Sequence, residues 1–468
     1  MSNRRFIGLC LLIAVGAFLL TVLNPEPTAA AAGSDPTDLS FRDATGRVRT
    51  FTASGSIDLQ NPFFQDLGTN GRRCVTCHQP DQGWSITPQG VEARFTASGG
   101  TDALFRNNDG SNCEGALHNT LDEQRSNYSL LLSRGLIRVG LDVPESAEFV
   151  VDSVTDPYDC TPPTNDLSVY RRPLPATNLR FLTAVMWDGR ESTATSTIVD
   201  DLRRQANDAT RGHAQGFNDL KDAVRQQIVT FEMGLFTAQA FDDSAASLDS
   251  QGAVGAPEAL ASEPFFIGIN DPVGLNPANV AFEPRAFTLF NAWNTLSGSL
   301  QRSVKDARTA VARGQAIFNT KRITLSNIPG LNGQTFSNGV TLPASFDGTC
   351  TVCHDSPNVG NHSVKAPLDI GLSDPSVAKY LPVYRLRNLS TAQTIDTTDP
   401  GRALITGRWA DVNKFKGPIL RGLASRAPYF HNGSAATLRE VVEFYDTRFS
   451  IGLTPQEKAD LVAFLRSL

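Results

Sequence analysis

The sequence predicts a mainly α chain built as two helical units with long loops, the first unit carrying an insertion. Three observations predict it. The stretch Cys74-Val-Thr-Cys77-His78 recurs as Cys350-Thr-Val-Cys353-His354. Residues 305–318, just ahead of the second copy, carry small and apolar side chains at three- and four-residue spacing, the pattern of an amphipathic helix. At the end of the chain, Thr454-Pro455-Gln456-Glu457 combines an N-cap, a proline at the first helical position and a capping-box glutamate. Leu461, Val462, Phe464 and Leu465 then give that last helix a buried face. Cys-x-x-Cys-His is the pattern that bonds a porphyrin through two thiols and ligates its iron through the adjacent imidazole. Histidine is rare here, six in 468 residues, so two chance matches are excluded. A dithiol redox pair needs no following histidine, and a zinc finger needs a second ligand pair at close spacing. The cofactor expectation is two covalently bound haem c groups, one on Cys74, Cys77 and His78, the other on Cys350, Cys353 and His354. A helix before the motif and an amphipathic helix closing the unit make cytochrome c-like haem domains the expected architecture.

The elements follow in chain order. Residues 1–32 read as an export signal: Arg4-Arg5, an apolar run over 6–23, then Ala29-Ala30-Ala31-Ala32 as small-residue cleavage sites. This predicts a periplasmic protein. The apolar run is long, so a retained membrane anchor is the second reading. Residues 33–303 are expected to form the N-terminal haem domain and 304–468 the C-terminal one. Within the first, 33–70 read as an exposed lead-in, and Gln79-Pro80-Asp81-Gln82-Gly83-Trp84 as a loop over the haem edge. Residues 95–170, rich in Asn, Asp, Gly, Ser and Pro, read as an insertion with a short helix near 119–132. Cys10 lies in the signal and four cysteines belong to the motifs, which leaves Cys113 and Cys160. In an oxidising compartment a disulfide between them is favoured over two buried thiols. Helical spacing returns at 200–205 and 217–236, and a Gly/Pro/Ala-rich loop at 243–285 leads into 286–300. Residues 436–445 place Leu438, Val441, Val442 and Tyr445 on one helix face. A net charge of −6 and the lack of a long basic run exclude nucleic acid as a partner.

Four stretches then carry a resemblance. They are the 74–78 motif, Trp187-Asp188-Gly189-Arg190, the 350–354 motif, and a run from Leu420-Arg421 through Ala427-Pro428-Tyr429-Phe430-His431-Asn432-Gly433-Ser434 to Tyr445. In this order they resemble the bacterial di-haem cytochrome c peroxidases and their relative MauG, the methylamine dehydrogenase maturation enzyme. The resemblance covers most of 60–468 and leaves 95–170 outside.

It implies that the N-terminal haem is the peroxidatic one, that the C-terminal haem stores or relays an electron, and that Trp187 mediates between them. It implies a sixth ligand on the C-terminal haem at Tyr445, seventeen residues past Pro428, where ordinary members place methionine. Met1, Met186 and Met233 are the only methionines, so no thioether is available there. A phenolate favours ferric and higher oxidation states. A distal histidine soon after the first motif is missing, since His118 is the next one and reads as a surface residue. An open iron opposite His78 is therefore expected. The family's proton-moving pair is a glutamine and, ten residues on, a glutamate. Gln205 fits the first position, but Gln215 stands at the second, which leaves His213 as the candidate base. A calcium ion between the domains is implied too, with Arg426 and Pro428 carbonyls as donors. Arg172 stands at the asparagine position, and a guanidinium there replaces a cation rather than binding one. His431 is expected to make structural hydrogen bonds, and His362 has no assigned role.

The leading expectation is a di-haem peroxidase that reduces hydrogen peroxide with electrons from a small redox protein, a cytochrome c or a cupredoxin. The first alternative is a MauG-like enzyme that oxidises side chains of a protein substrate through high-valent iron. The second is a di-haem electron carrier without enzymatic activity.

Overall fold

In the computed structural model, residues 39–116, 118–160 and 164–468 are described; the expected export signal and Cys10 lie outside them. The longest helix among the described residues, Arg302–Thr320, packs along the last one, Pro455–Arg466. Gly314 permits the approach: a Cβ there would fall 2.0 Å from the Asp460 carbonyl oxygen. The last helix starts as its sequence predicts, with Thr454 accepting from the Glu457 N–H and Glu457 reaching back to the Thr454 N–H. Between the two helices Phe287, Phe318 and Phe464 meet edge to face at 5.2–5.7 Å, and Phe318 lies 5.9 Å from the His354 ring. This apolar layer forms one wall of the second haem motif's surroundings.

The mainly α expectation holds in part. Helices take more residues than strands, but the described residues also form four antiparallel sheets. The largest refutes the exposed lead-in. Ser40–Arg42 and Gly46–Thr52 pair with each other, and Gly46–Thr52 pairs with Leu235–Asp242. Val48 is buried, and Thr50 joins Thr237 by a hydroxyl hydrogen bond of 2.8 Å. Composition read this segment as loop because its polar residues alternate with the buried ones, a pattern easily missed over a short strand.

The insertion is structured. Its expected helix is two short ones, Leu121–Asn127 and Ser129–Arg134. Strands Ile137–Asp142 and Asp166–Arg171 form a hairpin-like pair, and a disulfide joins Cys113 to Cys160 with Cα atoms 5.4 Å apart. Phe149–Thr155 leaves the first half of the chain altogether. It pairs with Val383–Asn388, whose other edge takes Thr394–Thr397. Backbone pairing thus stitches the insertion to the C-terminal residues, a link no local pattern announces. No helix among the described residues is long and apolar enough to cross a membrane.

Candidate functional site: two histidine cavities sharing a wall

Each Cys-x-x-Cys-His motif lines a cavity, of about 190 Å³ around Cys74, Cys77 and His78 and about 230 Å³ around Cys350, Cys353 and His354. None of these four thiols is in a disulfide. The two histidines are held alike. His78 Nδ1 lies 3.1 Å from the Trp84 carbonyl, and His354 Nδ1 lies 2.6 Å from the Gly360 carbonyl. A backbone acceptor at Nδ1 selects the tautomer that leaves Nε2 free to ligate iron. Burial lowers both imidazoles, His78 to about 4, which favours the neutral form that could ligate iron. Trp84 is fully buried beneath His78 among Phe63 and Phe231, its indole N–H donating to Thr50 Oγ1 at 2.8 Å. Its carbonyl thus holds His78, while its side chain lines neither cavity.

The shared wall gives an independent reason to place an anionic prosthetic group here. Arg172, Lys416 and Arg426 line both cavities, and none has a carboxylate partner among the described residues. Burial lowers them to about 9, 8 and 10 respectively, with the Arg426 charge adding to the first two. Arg426 Nε is buried without any hydrogen-bond partner among the described residues. Buried unpaired cations are costly, and the propionates of a porphyrin would compensate them. Thiols, imidazoles and cations thus fit haem c at both places.

Trp187 is part of the same wall. It lines both cavities, and its Nε1 donates to the Arg172 carbonyl at 2.8 Å. The next residue anchors it: Asp188 accepts from Arg171 and Arg190, and Arg171 also binds Asp399 at 2.7 and 2.9 Å. Burial pushes the Asp188 carboxyl up, but Arg171 and Arg190 outweigh it and hold it at about 2.

The unshared walls differ. On the His78 side the helix Ile198–Gly212 presents Leu202, Gln205, Ala206, Ala209 and Thr210, one helical stripe, with His213 as its C-cap. Gln205 and His213 therefore face one cavity, while Gln215 is exposed and outside it. The same cavity takes in Arg72, Asp109 and Glu232, which the sequence reading missed. Glu232 is pushed up to about 8 by burial alone and stays neutral. His118 belongs to neither cavity; it stacks on Tyr128 at 5.1 Å and is half-buried, not a surface residue.

On the His354 side Tyr445 projects from the helix Leu438–Phe449 into the cavity. Its hydroxyl has no hydrogen-bond partner among the described residues, and burial raises its pKa. Its ring stacks on Phe449 at 6.0 Å. His431 also lines this cavity. It stacks on Phe415 at 4.0 Å and meets Trp187 edge-on at 6.2 Å; its carbonyl accepts a structural hydrogen bond from the Arg172 N–H at 2.7 Å, while its Nε2 is buried without a partner among the described residues. His362, unassigned from sequence, is buried at the cavity edge 3.4 Å from the Asp355 carboxylate.

Calcium does not fit. The Arg172 guanidinium itself donates to the Arg426 carbonyl at 3.1 Å and to the Arg134 and Gly135 carbonyls at 3.1 and 3.3 Å. One of the two carbonyls a cation would need is thus taken by a fixed positive group.

No family model matches the chain. The chain is similar to curated bacterial cytochrome-c peroxidases. Cytochrome-c peroxidase IdrP2 of Denitromonas iodatirespirans is 36% identical over 137 residues, 26% of this chain and 36% of that one. Cytochrome c551 peroxidase of Nitrosomonas europaea is 34% identical over 125 residues, 26% of this chain and 31% of that one. The match spans about a third of the length of these relatives. Among solved structures, a MauG-like protein associated with microbial copper homeostasis aligns with 64% of this chain and 74% of its own at 18% identity, TM-score 0.34.

Proposed function

We propose that the chain is an exported, periplasmic di-haem c-type peroxidase that reduces hydrogen peroxide with electrons from a small redox protein. One haem unit lies in 33–303 and the other in 304–468. Bound haem supplies the one-electron iron chemistry; the protein supplies everything that makes the two sites unequal. His78 and His354 are the iron ligands, oriented by the Trp84 and Gly360 carbonyls. Arg172, Lys416 and Arg426 neutralise propionates on the shared wall. Gln205 and His213 bind and deprotonate peroxide at the His78 side, and Trp187 offers an indole between the cavities for electron exchange. Overall, H2O2 with two protons and two electrons gives two waters.

One observation carries this reading: Gln205 and His213, a hydrogen-bonding amide and an imidazole able to move the proton of peroxide, both line the cavity of His78 and not that of His354. The experiment is steady-state peroxide consumption by the diferric protein with a reduced cytochrome c or cupredoxin as donor. Turnover that stops when donor is withheld supports the proposal. A protein whose spectrum ignores stoichiometric peroxide is an electron carrier, and the proposal is then wrong.

A second reading has its own observation. The unpartnered Tyr445 hydroxyl facing His354 suits a phenolate ligand that disfavours simple electron uptake. This fits a MauG-like enzyme that withdraws electrons from side chains of a partner protein. A peroxide-induced spectrum that persists without donor and decays on adding a protein substrate would favour it over the first.

A further inference from the structure

The insertion sends one carboxylate into the His78 cavity. Asp109 is 4% exposed, and its two oxygens are both committed: Oδ1 accepts from Arg72 Nη1 and Oδ2 from His213 Nδ1. The surrounding groups hold His213 from its backbone as well. Asn70 Nδ2 donates to the His213 carbonyl at 2.8 Å, while Asn108 Nδ2 and Arg72 Nη1 reach it at 3.3 Å. Arg138 N–H in turn fixes the Asp109 carbonyl at 2.7 Å. His213 caps the C-terminus of Ile198–Gly212. Its Nε2 has no protein partner among the described residues. The charged and titratable groups facing it are Asp109, Arg72 and, across the cavity, His78.

We propose that Asp109 is a positioning residue for catalysis: it holds His213 as the Nδ1–H tautomer, so that Nε2 is the proton acceptor facing the cavity. This rests on the peroxidase reading. In the step, Nε2 takes the proton from the peroxide oxygen nearer the iron site and gives it to the far oxygen. The O–O bond breaks and the far oxygen leaves as water. The other oxygen leaves as the second water once two electrons from the one-electron donor protein and two solvent protons have been added. The resulting Asp–His pair stands in for the carboxylate that Gln215 cannot provide, and the insertion supplies half of it. An asparagine at 109 would have to keep its oxygen toward Arg72 and turn its NH2 to His213. Nδ1 would then have to accept, and the proton would move to Nε2, the wrong nitrogen.

The test uses the full di-haem protein and three readouts. In Asp109→Asn, kcat/KM for peroxide falls roughly 10- to 100-fold, with the donor KM unchanged. Association of hydrogen cyanide with the ferric protein, which also needs a base for the departing proton, slows by a similar factor. Asp109→Glu recovers part of both losses. Peroxide and cyanide rates in Asp109→Asn that match the parent, over the same pH range, would overturn the proposal. Should Asp109→Asn not fold, His213→Gln, at a half-exposed position, is expected to show the same losses and to be rescued by added imidazole. Parent-like rates in that variant would overturn the proposal equally. The third readout needs no variant: the 15N shifts of labelled His213 are expected to show a protonated Nδ1, and a protonated Nε2 sinks the idea. If the parent reduces no peroxide with any donor, the peroxidase reading fails, while the cyanide rates and the tautomer still decide the Asp109–His213 pair.

Discussion

The two cavities are alike around their Cys-x-x-Cys-His motifs and unlike on the walls opposite them. Each has a Cys-x-x-Cys-His motif and a histidine whose Nδ1 faces a backbone carbonyl six residues on. Opposite that common frame, the His78 cavity faces Gln205, His213, Asp109 and Arg72, whereas the His354 cavity faces mostly aliphatic and aromatic side chains, Tyr445 among them, with His362 and His431. Attachment needs only a local motif, so it can be duplicated by repeating five residues. Reactivity depends on groups brought by other elements, and here the helix Ile198–Gly212 and the insertion bring them to one cavity alone.

The largest effect should come from removing one attachment site at a time. Replacing Cys74 and Cys77 by serine is expected to lower the haem content by half and abolish the reaction with peroxide. The same change at Cys350 and Cys353 should leave a peroxide reaction that no longer turns over with a donor protein. Haem mass and stopped-flow spectra check this; equal phenotypes would erase the contrast between the cavities. Next, Gln205→Leu is expected to reduce kcat/KM for peroxide on the order of 100-fold, because a preorganised hydrogen-bond donor is lost from the His78 cavity alone. An unaffected rate removes Gln205 from the machinery.

Asp188 ties the shared wall to both halves, and Asp188→Asn should destabilise by about 3–5 kcal/mol, since it leaves the Arg171 charge buried beside a single partner. The pH dependence has a definite sign. Asp188 is held at about 2 against an unfolded value of 3.8. Its stabilisation is therefore complete above about pH 4 and is lost as pH falls towards 2. Denaturant melts of parent and variant should converge in acid; a constant difference down to pH 2 would contradict this assignment. A smaller effect is expected from Tyr445→Phe, which should change the spectrum and raise the potential of the His354 haem only. An unaltered spectrum excludes the phenolate ligand. The smallest effect is expected from chelation: with the Arg172 guanidinium on the Arg426 carbonyl, EDTA should change neither the melting temperature nor the spectra.

In the sequence alone, the two motifs name the expected haem ligands, the capping box and proline mark the last helix, and the helix expected over 305–318 comes close to its observed extent, 302–320. Gln205 and His213 were within reach through the resemblance, which implies a glutamine at 205 and a proton-moving group near 215; the helix Ile198–Gly212 and its C-cap carry both. Asp109, Arg72 and Lys416 were not. Asp109 is one of many polar residues in a Gly- and Asn-rich stretch, and only a contact across 104 residues distinguishes it. The lead-in strands escaped for a similar reason, since Gly46–Thr52 becomes a strand by pairing with Leu235–Asp242 far along the chain.

What the sequence determined by itself is what short-range chemistry requires: thiols and an imidazole at fixed spacing, a capped helix, a missing methionine. What only the tertiary structure decided is which groups stand opposite each histidine, that Trp187 lines both cavities, and that Arg172 occupies a place where a cation was expected. The physical reason is range. Covalent attachment and capping act over a few residues, whereas proton transfer, charge compensation and electron exchange need groups that only long-range packing brings within reach.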